Sequence, residues 1–239
     1  MLRLARSTFV SVIQPGSRRR VTSQSHAVAA TADCAVFGYS EDTLRVLLVR
    51  RAVEPFEGGW VLPGGALGQE ETLEGTASRL LNELVNINDV RLRQVRTYSE
   101  VDRHPVRRVI TTSFFALVSP NDHDPIAREY LDQVRWCPIN EVPELGFDHR
   151  RILDDAYEAL QSELRHHPLA FQLLPDNFTL KEAQEVYEAI LGEDLDRRNF
   201  RRKILTYDFL VNTEQKKQGV RGGPELYRID SSKLDDHLQ

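Results

Sequence analysis

The chain has 239 residues, a net charge of −5, 41% hydrophobic and 28% charged residues, proportions that suit an ordinary globular protein with one large domain or two small ones. Apolar runs all fall short of the roughly 20 residues that a membrane helix needs, so no membrane partner is expected. The two cysteines, Cys34 and Cys137, stand in apolar strand-like runs and the seven histidines lack metal-ligand spacing, which argues against a disulfide framework or a zinc site and for reduced core thiols.

Residues 1–26 read as a basic, disordered leader, since the first 32 residues hold five arginines and no acid. An Arg- and Ser-rich, acid-poor leader also has the composition of a mitochondrial transit peptide. A disordered arm or an upstream start are the plainer alternatives, and the segment is left out of the fold. Next, "ADCAVFGY" is an apolar β run, and "GYSEDTLRV" is a hairpin turn into "RVLLVRR". Beyond a glycine-rich segment, "VRLRQVRTYSEV", "VRRVITTSFFALV" and "QVRWCPI" are further strands. "HRRILDDAYEALQSEL" is an amphipathic helix with Ile152, Leu153, Ala156, Leu160 and Leu164 on one side. Strands, helix, strands, helix predict an α/β/α sandwich over residues 27–166.

Between the strands, "WVLPGGALGQEETLEGTASRLLNELVNI" carries the first chemistry. Leu73, Ala77, Leu80, Leu81, Leu84 and Val85 make a wide apolar helical stripe. The glycine pair Gly64 and Gly65 predicts an open turn with backbone N–H groups free for a phosphate. The segment resembles the Nudix box, GX5EX7REUXEEXGU with U aliphatic. Gly65, Glu71, Arg79, Leu81, Glu83 and Ile87 match it, while Leu80 and Leu84 stand for glutamates and Asn86 for the last glycine. Nudix hydrolases cut diphosphates with divalent metals held by a glutamate cluster. Glu83 alone, with Glu71 a helix-length away, is a poor set of ligands for a hard ion such as Mg²⁺. Arg79 and Glu83, four residues apart, can pair with each other. The box is therefore expected to bind a nucleoside diphosphate without cutting it, with no catalytic residue and no metal ligand.

"RHHPLAFQLLPDN" contains two prolines and closes the first domain; residues 167–239 have a different texture. Thr179 with Glu182 forms a capping box ahead of a stripe of Leu180, Ala183, Val186, Tyr187 and Ile190, and Asp194 or Asp196 caps a second helix, "RRNFRRKILTYDFL". On that helix Phe200, Ile204 and Leu205 are expected to point inward. "LVNTEQKKQGVRGGPELYRI" reads as two strands around a Gly-rich tip. Helix, turn, helix, hairpin is the order of a winged helix-turn-helix, and the whole is classed α+β. Arg197, Arg198, Asn199, Arg201, Arg202 and Lys203 on the second helix and Lys216, Lys217 and Arg221 on the hairpin are the candidate DNA-binding residues. Arginine forks suit guanine edges and phosphates, asparagine can read adenine, and a wing reaches the backbone.

A degenerate Nudix segment followed by "LLPDNFTLKEAQEVYEAILGEDLDRRNFRRKIL…RGGPELYRI", with "FDH" at Phe147–His149, closely resembles the Nudix-related transcriptional regulators of NAD metabolism (NrtR). That resemblance implies a homodimeric repressor with two-fold symmetry, a palindromic double-stranded operator near NAD biosynthesis or salvage genes, and a nucleotide effector, ADP-ribose or a relative. It implies no required cofactor, no role for Mg²⁺ and a cytoplasmic, nucleoid-associated location. Arg51, Gly64, Gly65, Arg79, Glu83, Arg103 and Arg108 are the candidate ligand-binding residues. Two other readings stay open: an active ADP-ribose pyrophosphatase with an accessory module, and a sugar-responsive regulator of the same architecture.

Overall fold

The computed structural model describes residues 28–121, 123, 125–219 and 222–238; the basic leader (1–26) and Arg221 lie outside the described residues. Strands β1 (Ala29–Ser40) and β2 (Thr43–Arg51) form the expected hairpin. Glu41 and Asp42 both take positive φ, 50° and 55°, the two-residue turn whose twist matches that of the flanking strands. The chain then runs through β3 (Trp60–Val61), β4 (Gly64–Ala66), helix α1 (Leu73–Val85), β5 (Arg93–Tyr98), β6 (Val109–Leu117), β7 (Leu131–Pro138) and helix α2 (His149–His166).

These strands make one sheet in the order β3-β2-β1-β6-β5, with β4 added to β1 and β7 to β2. β1 and β6 pair in parallel; the other ladders are antiparallel. Side chains alternate faces along a strand, and both faces of β1 are covered. Ala32, Cys34 and Val36 join Leu80, Leu81 and Leu84 in one cluster, while Ala35 and Phe37 join Ile152, Leu153 and Ala156 in the other. An α/β/α sandwich is the result. Cys34 and Cys137 are free, buried thiols, as expected.

The C-terminal part consists of α3 (Leu180–Leu191), α4 (Arg197–Ile204), β8 (Leu210–Lys216), β9 (Glu225–Ile229) and α5 (Ser231–His237). Both arms of the Thr179/Glu182 capping box are formed. Gly192 ends α3 at φ 70°, where a side chain would be strained, and Asp196 caps α4 through the Asn199 N–H. Phe178 and Tyr227 exchange backbone hydrogen bonds of 2.9 and 2.8 Å, so the segment entering α3 lies along the β8–β9 wing. This is a winged helix-turn-helix.

Three expectations need correction. α4 ends at Ile204 rather than running on to Leu210, because Tyr207 and Asp208 turn the chain to insert Phe209 among Phe171, Tyr207 and His237. Leu205, expected inward, caps the shortened helix and is exposed. α5, absent from the sequence reading, packs back on the sandwich: Arg91 donates to Asp235 at 2.8 Å and to the Leu238 carbonyl at 3.4 Å.

The two parts share apolar packing. The cluster beneath α2 continues without a break through Leu169, Phe171 and Phe178 into α3 and α4. Tyr157 and Gln161 on α2 also donate to the Ile190 carbonyl at the end of α3, at 2.9 and 3.0 Å.

Candidate functional site

An open cleft of about 700 Å³ lies between β1, β4, the loop after β5 and the start of α2. Among the predicted ligand residues Arg51, Gly64, Gly65 and Arg103 line it, whereas Arg79, Glu83 and Arg108 do not. The Arg108 guanidinium donates to the Glu100 carbonyl at 2.7 Å. Arg107, Tyr130, Phe147, His104, Asp33 and His149 also line the cleft; the "FDH" motif names Phe147 and His149 without a role, and no motif names the other four.

The glycine pair forms no open phosphate turn. Gly64, Gly65 and Ala66 pair with Asp33, Ala32 and Thr31 of β1 as a short strand. Close approach requires glycine at position 64, where a Cβ would sit 2.0 Å from Asp33 Oδ1 and 2.8 Å from the Ala32 carbonyl, while a Cβ on Gly65 would press on Leu80 Cδ2 at 3.0 Å. Tyr130 Oη donates to the Gly64 carbonyl at 3.0 Å and holds the strand from the other side.

In sequence Glu71 lies a helix-length from Glu83, the other glutamate of the box. In space the loop before α1 folds back, and Arg79 binds both carboxylates. Its Nε and Nη2 donate to Glu71 at 2.6 and 2.9 Å, and its Nη1 donates to Glu83 at 2.8 Å. Thr76 Oγ1 and the Gly68 N–H complete the shell of Glu71. The Arg79 hydrogen bond, with help from Thr76, lowers the Glu71 carboxyl to about 2. Leu80 and Leu84 are buried in the core under the helix, Leu84 at 1% exposure. Among the described residues no group of three or more His, Cys, Asp or Glu side chains is placed to hold a metal ion.

The cleft floor is a charged network. Arg103 is almost fully buried and donates twice to Asp148, at 2.9 and 2.7 Å, with Asp33 Oδ2 at 3.7 Å from Nη2. Arg103, one of the candidate ligand-binding residues, is brought to the floor by its pairing with Asp148 at the start of α2. Thr111 Oγ1 donates to Asp33 Oδ2 at 2.7 Å. His149 Nδ1 accepts from the Leu62 N–H at 3.0 Å, and burial lowers the imidazole pKa, so the ring is neutral near pH 7. At the mouth Phe147, with φ 57°, meets Phe56, His104 and His149 at centroid distances of 4.6, 5.3 and 5.2 Å. The Arg51 guanidinium lies 5.4 Å over Phe147 while Nε donates to the Pro55 carbonyl. Flat aromatic and cationic faces beside buried polar groups suit a ligand with a ring, phosphates and hydroxyls.

The second candidate surface is α4 with the wing. Phe200 and Ile204 face inward, and Arg197, Arg198, Arg201, Arg202 and Lys203 are exposed. Among the described residues none of these five makes an ion pair; Arg202 donates to Asn199 Oδ1 at 2.9 Å. Such a row of unneutralised cations is ready for phosphates. On the wing Lys216 is exposed without an ionic partner among the described residues, whereas Lys217 is 2.6 Å from Glu182 of the capping box. Lys217 thus ties the wing to α3.

Comparison with known proteins places these two surfaces together elsewhere. The NUDIX domain family model matches residues 29–156, and the NrtR DNA-binding winged helix domain model matches residues 170–229. The ADPR responsive transcriptional repressor NtrR of Acinetobacter baylyi is 31% identical over 203 residues, 83% of this chain and 81% of that protein. Shewanella oneidensis NrtR, solved with a 27mer DNA, superposes with a TM-score of 0.77 at 30% identity, covering 86% of this chain and 95% of that one. Its NUDIX domain complexed with ADP ribose superposes at 0.53 with 32% identity, covering 56% and 89%. An ADP-ribose pyrophosphatase of Methanocaldococcus jannaschii is 31% identical over 121 residues, 51% of this chain and 70% of that protein.

Proposed function

The chain belongs to the NrtR family of Nudix-related transcriptional regulators, and from that premise we propose that it represses NAD biosynthesis or salvage genes and releases its operator in response to ADP-ribose. Residues 27–166 act as the sensor and 167–239 as the DNA-binding part. The observation that carries the reading is one chain holding both a nucleotide-sized cleft and an α4 whose five basic side chains lack ionic partners among the described residues. A homodimer would present two α4 helices to the half-sites of a palindromic operator, as two-fold symmetry requires. Such a regulator works in the cytoplasm, at the nucleoid.

Catalysis is not part of this reading. The two glutamates left in the box are held by Arg79, and the positions that would complete a metal cluster are core leucines. A metal clamp for diphosphate cleavage needs convergent free carboxylates. Hence ADP-ribose would be bound intact, without Mg²⁺.

Helix α2 supplies a route between the two surfaces. It starts at the cleft, where Asp148 pairs with Arg103, and it hydrogen-bonds the end of α3 through Tyr157 and Gln161. An effector with different affinity for two settings of α2 would shift the spacing of the α4 helices, and only such a difference can couple the sites. The direct test is a gel shift with DNA upstream of the chain's own gene, titrated with ADP-ribose and with NAD. Retarded DNA that ADP-ribose releases supports the proposal; no retardation with that or neighbouring promoters overturns it. The relation to an ADP-ribose pyrophosphatase keeps a second reading in view, and steady phosphate release from ADP-ribose with Mg²⁺ and phosphatase would favour it.

A further inference from the structure

We propose that Asp33 and His149 form a bracket for one sugar hydroxyl on the floor of the cleft, an inference that rests on the effector reading above and specifies which group of the effector is read. Both side chains are more than nine-tenths buried, and both line the cleft. The Leu62 N–H occupies His149 Nδ1, so in the neutral ring the proton sits on Nε2. That Nε2 faces Asp33 Oδ1 at 3.8 Å, too far for a hydrogen bond between them. Asp33 Oδ2 is taken by Thr111, while Oδ1 accepts no hydrogen bond among the described residues. Gly64 leaves Oδ1 room, because any Cβ there would collide with it.

A donor and a carboxylate oxygen, on side chains that are largely buried but line the cleft, therefore stand close enough that one atom seated beside the pair can hydrogen-bond to both. The bridging group must accept from an N–H and donate to a carboxylate. A hydroxyl does both. A phosphate oxygen cannot donate and would be repelled by Asp33, and an ammonium cannot accept. The bracket thus turns the ribose end of a nucleotide to the floor and leaves its phosphates to Arg51 and Arg107 nearer the mouth. In the empty cleft both atoms are open to water, so a ligand that covers them without a hydroxyl removes that water and offers nothing in return, which is what makes such a site reject analogues lacking the hydroxyl.

The test is calorimetric titration of the full chain with ADP-ribose and with the series of analogues in which each ribose hydroxyl in turn is replaced by hydrogen. One analogue is expected to bind the native chain roughly 10- to 100-fold more weakly, the range for a hydrogen bond to a charged group. Asp33→Ala, which removes the acceptor altogether, is expected to bind ADP-ribose more weakly by a similar factor and to lose its preference over that one analogue. Because the series is first read on the native chain, misfolding of the variant cannot mask the outcome. Equal binding of all analogues to the native chain overturns the bracket and leaves ADP-ribose sensing intact. A preference that survives in folded Asp33→Ala overturns Asp33 as the acceptor. No binding of ADP-ribose to the native chain overturns the effector reading, and the bracket with it.

Discussion

Arg79 grips Glu71 with two prongs, Nε to Oε1 at 2.6 Å and Nη2 to Oε2 at 2.9 Å, although the residues are eight positions apart. The grip holds the Glu71 carboxyl at about 2 against an ordinary value of 4.5. A folded-state value below the unfolded one means that the contribution to stability is complete above pH 4.5 and fades as pH falls toward 2. Arg79→Ala should therefore be less stable at pH 7, and the gap to the native chain should narrow between pH 4.5 and 2. Carboxyl NMR titration checks the cause: Glu71 should return to the ordinary range in the variant. An unchanged Glu71 titration would show that Arg79 is not what holds it.

Carboxylates put back at the two positions where leucine stands for a glutamate of the Nudix pattern should not restore chemistry. Leu84 packs between α1 and the sheet, almost fully buried with one side toward the cleft, and Leu80 is buried beside it. Leu84→Glu removes core packing and introduces an acid with no partner, a loss of at least the roughly 2–5 kcal/mol of a large-to-small core change. Urea unfolding should show this loss for Leu84→Glu and for the double variant with Leu80→Glu. Mg²⁺-dependent phosphate release from ADP-ribose should stay at background. A folded double variant that hydrolyses ADP-ribose would mean that the leucines, and not the fold around them, are all that silences the site.

DNA binding should divide α4 from the wing in a graded way. Arg198→Ala and Arg201→Ala each remove an exposed fork from α4 and should weaken operator binding by about 1–3 kcal/mol if the fork reads a base edge. Lys216→Ala should lower affinity evenly across sequences and reduce the salt slope by about 1, the signature of one lost phosphate contact. Lys217→Ala should change the salt slope less, because its ammonium is already beside Glu182. Gel shifts at several salt concentrations, on operator and on unrelated DNA, separate these outcomes. Equal effects of Lys216→Ala and Lys217→Ala would show that DNA breaks the Lys217–Glu182 pair.

Much of this architecture is written locally. The stripes of α2 and α3 are buried at each predicted position, since helical periodicity depends only on near neighbours. Asp196 caps α4 and Glu182 closes its capping box for the same reason. What escaped was contact between distant segments. Asp33 sits in a run that reads as plain apolar strand, and its partners Thr111 and His149 come from β6 and α2. Arg103 reads as an exposed connection until Asp148, 45 residues on, draws it under cover. Gly64 and Gly65 match a phosphate-turn pattern, yet their register with β1 makes them a strand. Glycine spacing shows where backbone must come close, not what it comes close to.

The proposed coupling makes its own demand on α2. Tyr157 and Gln161 do not line the cleft, but they are hydrogen-bonded to the last carbonyls of α3, which carries α4 behind a short turn. If α2 relays occupancy of the cleft, Tyr157→Phe with Gln161→Ala should leave ADP-ribose affinity and effector-free operator affinity near native. The factor by which ADP-ribose weakens operator binding should shrink toward one. Losing these three hydrogen bonds should lower stability by about 0.5–1.5 kcal/mol each, and a urea unfolding curve shows that the variant is measured folded. Linkage supplies a second check, because operator DNA must then weaken ADP-ribose binding less in the variant, and by the same reduced factor. A native-sized ADP-ribose effect in the double variant would mean that the signal passes elsewhere, for instance through the contact of α5 with Arg91.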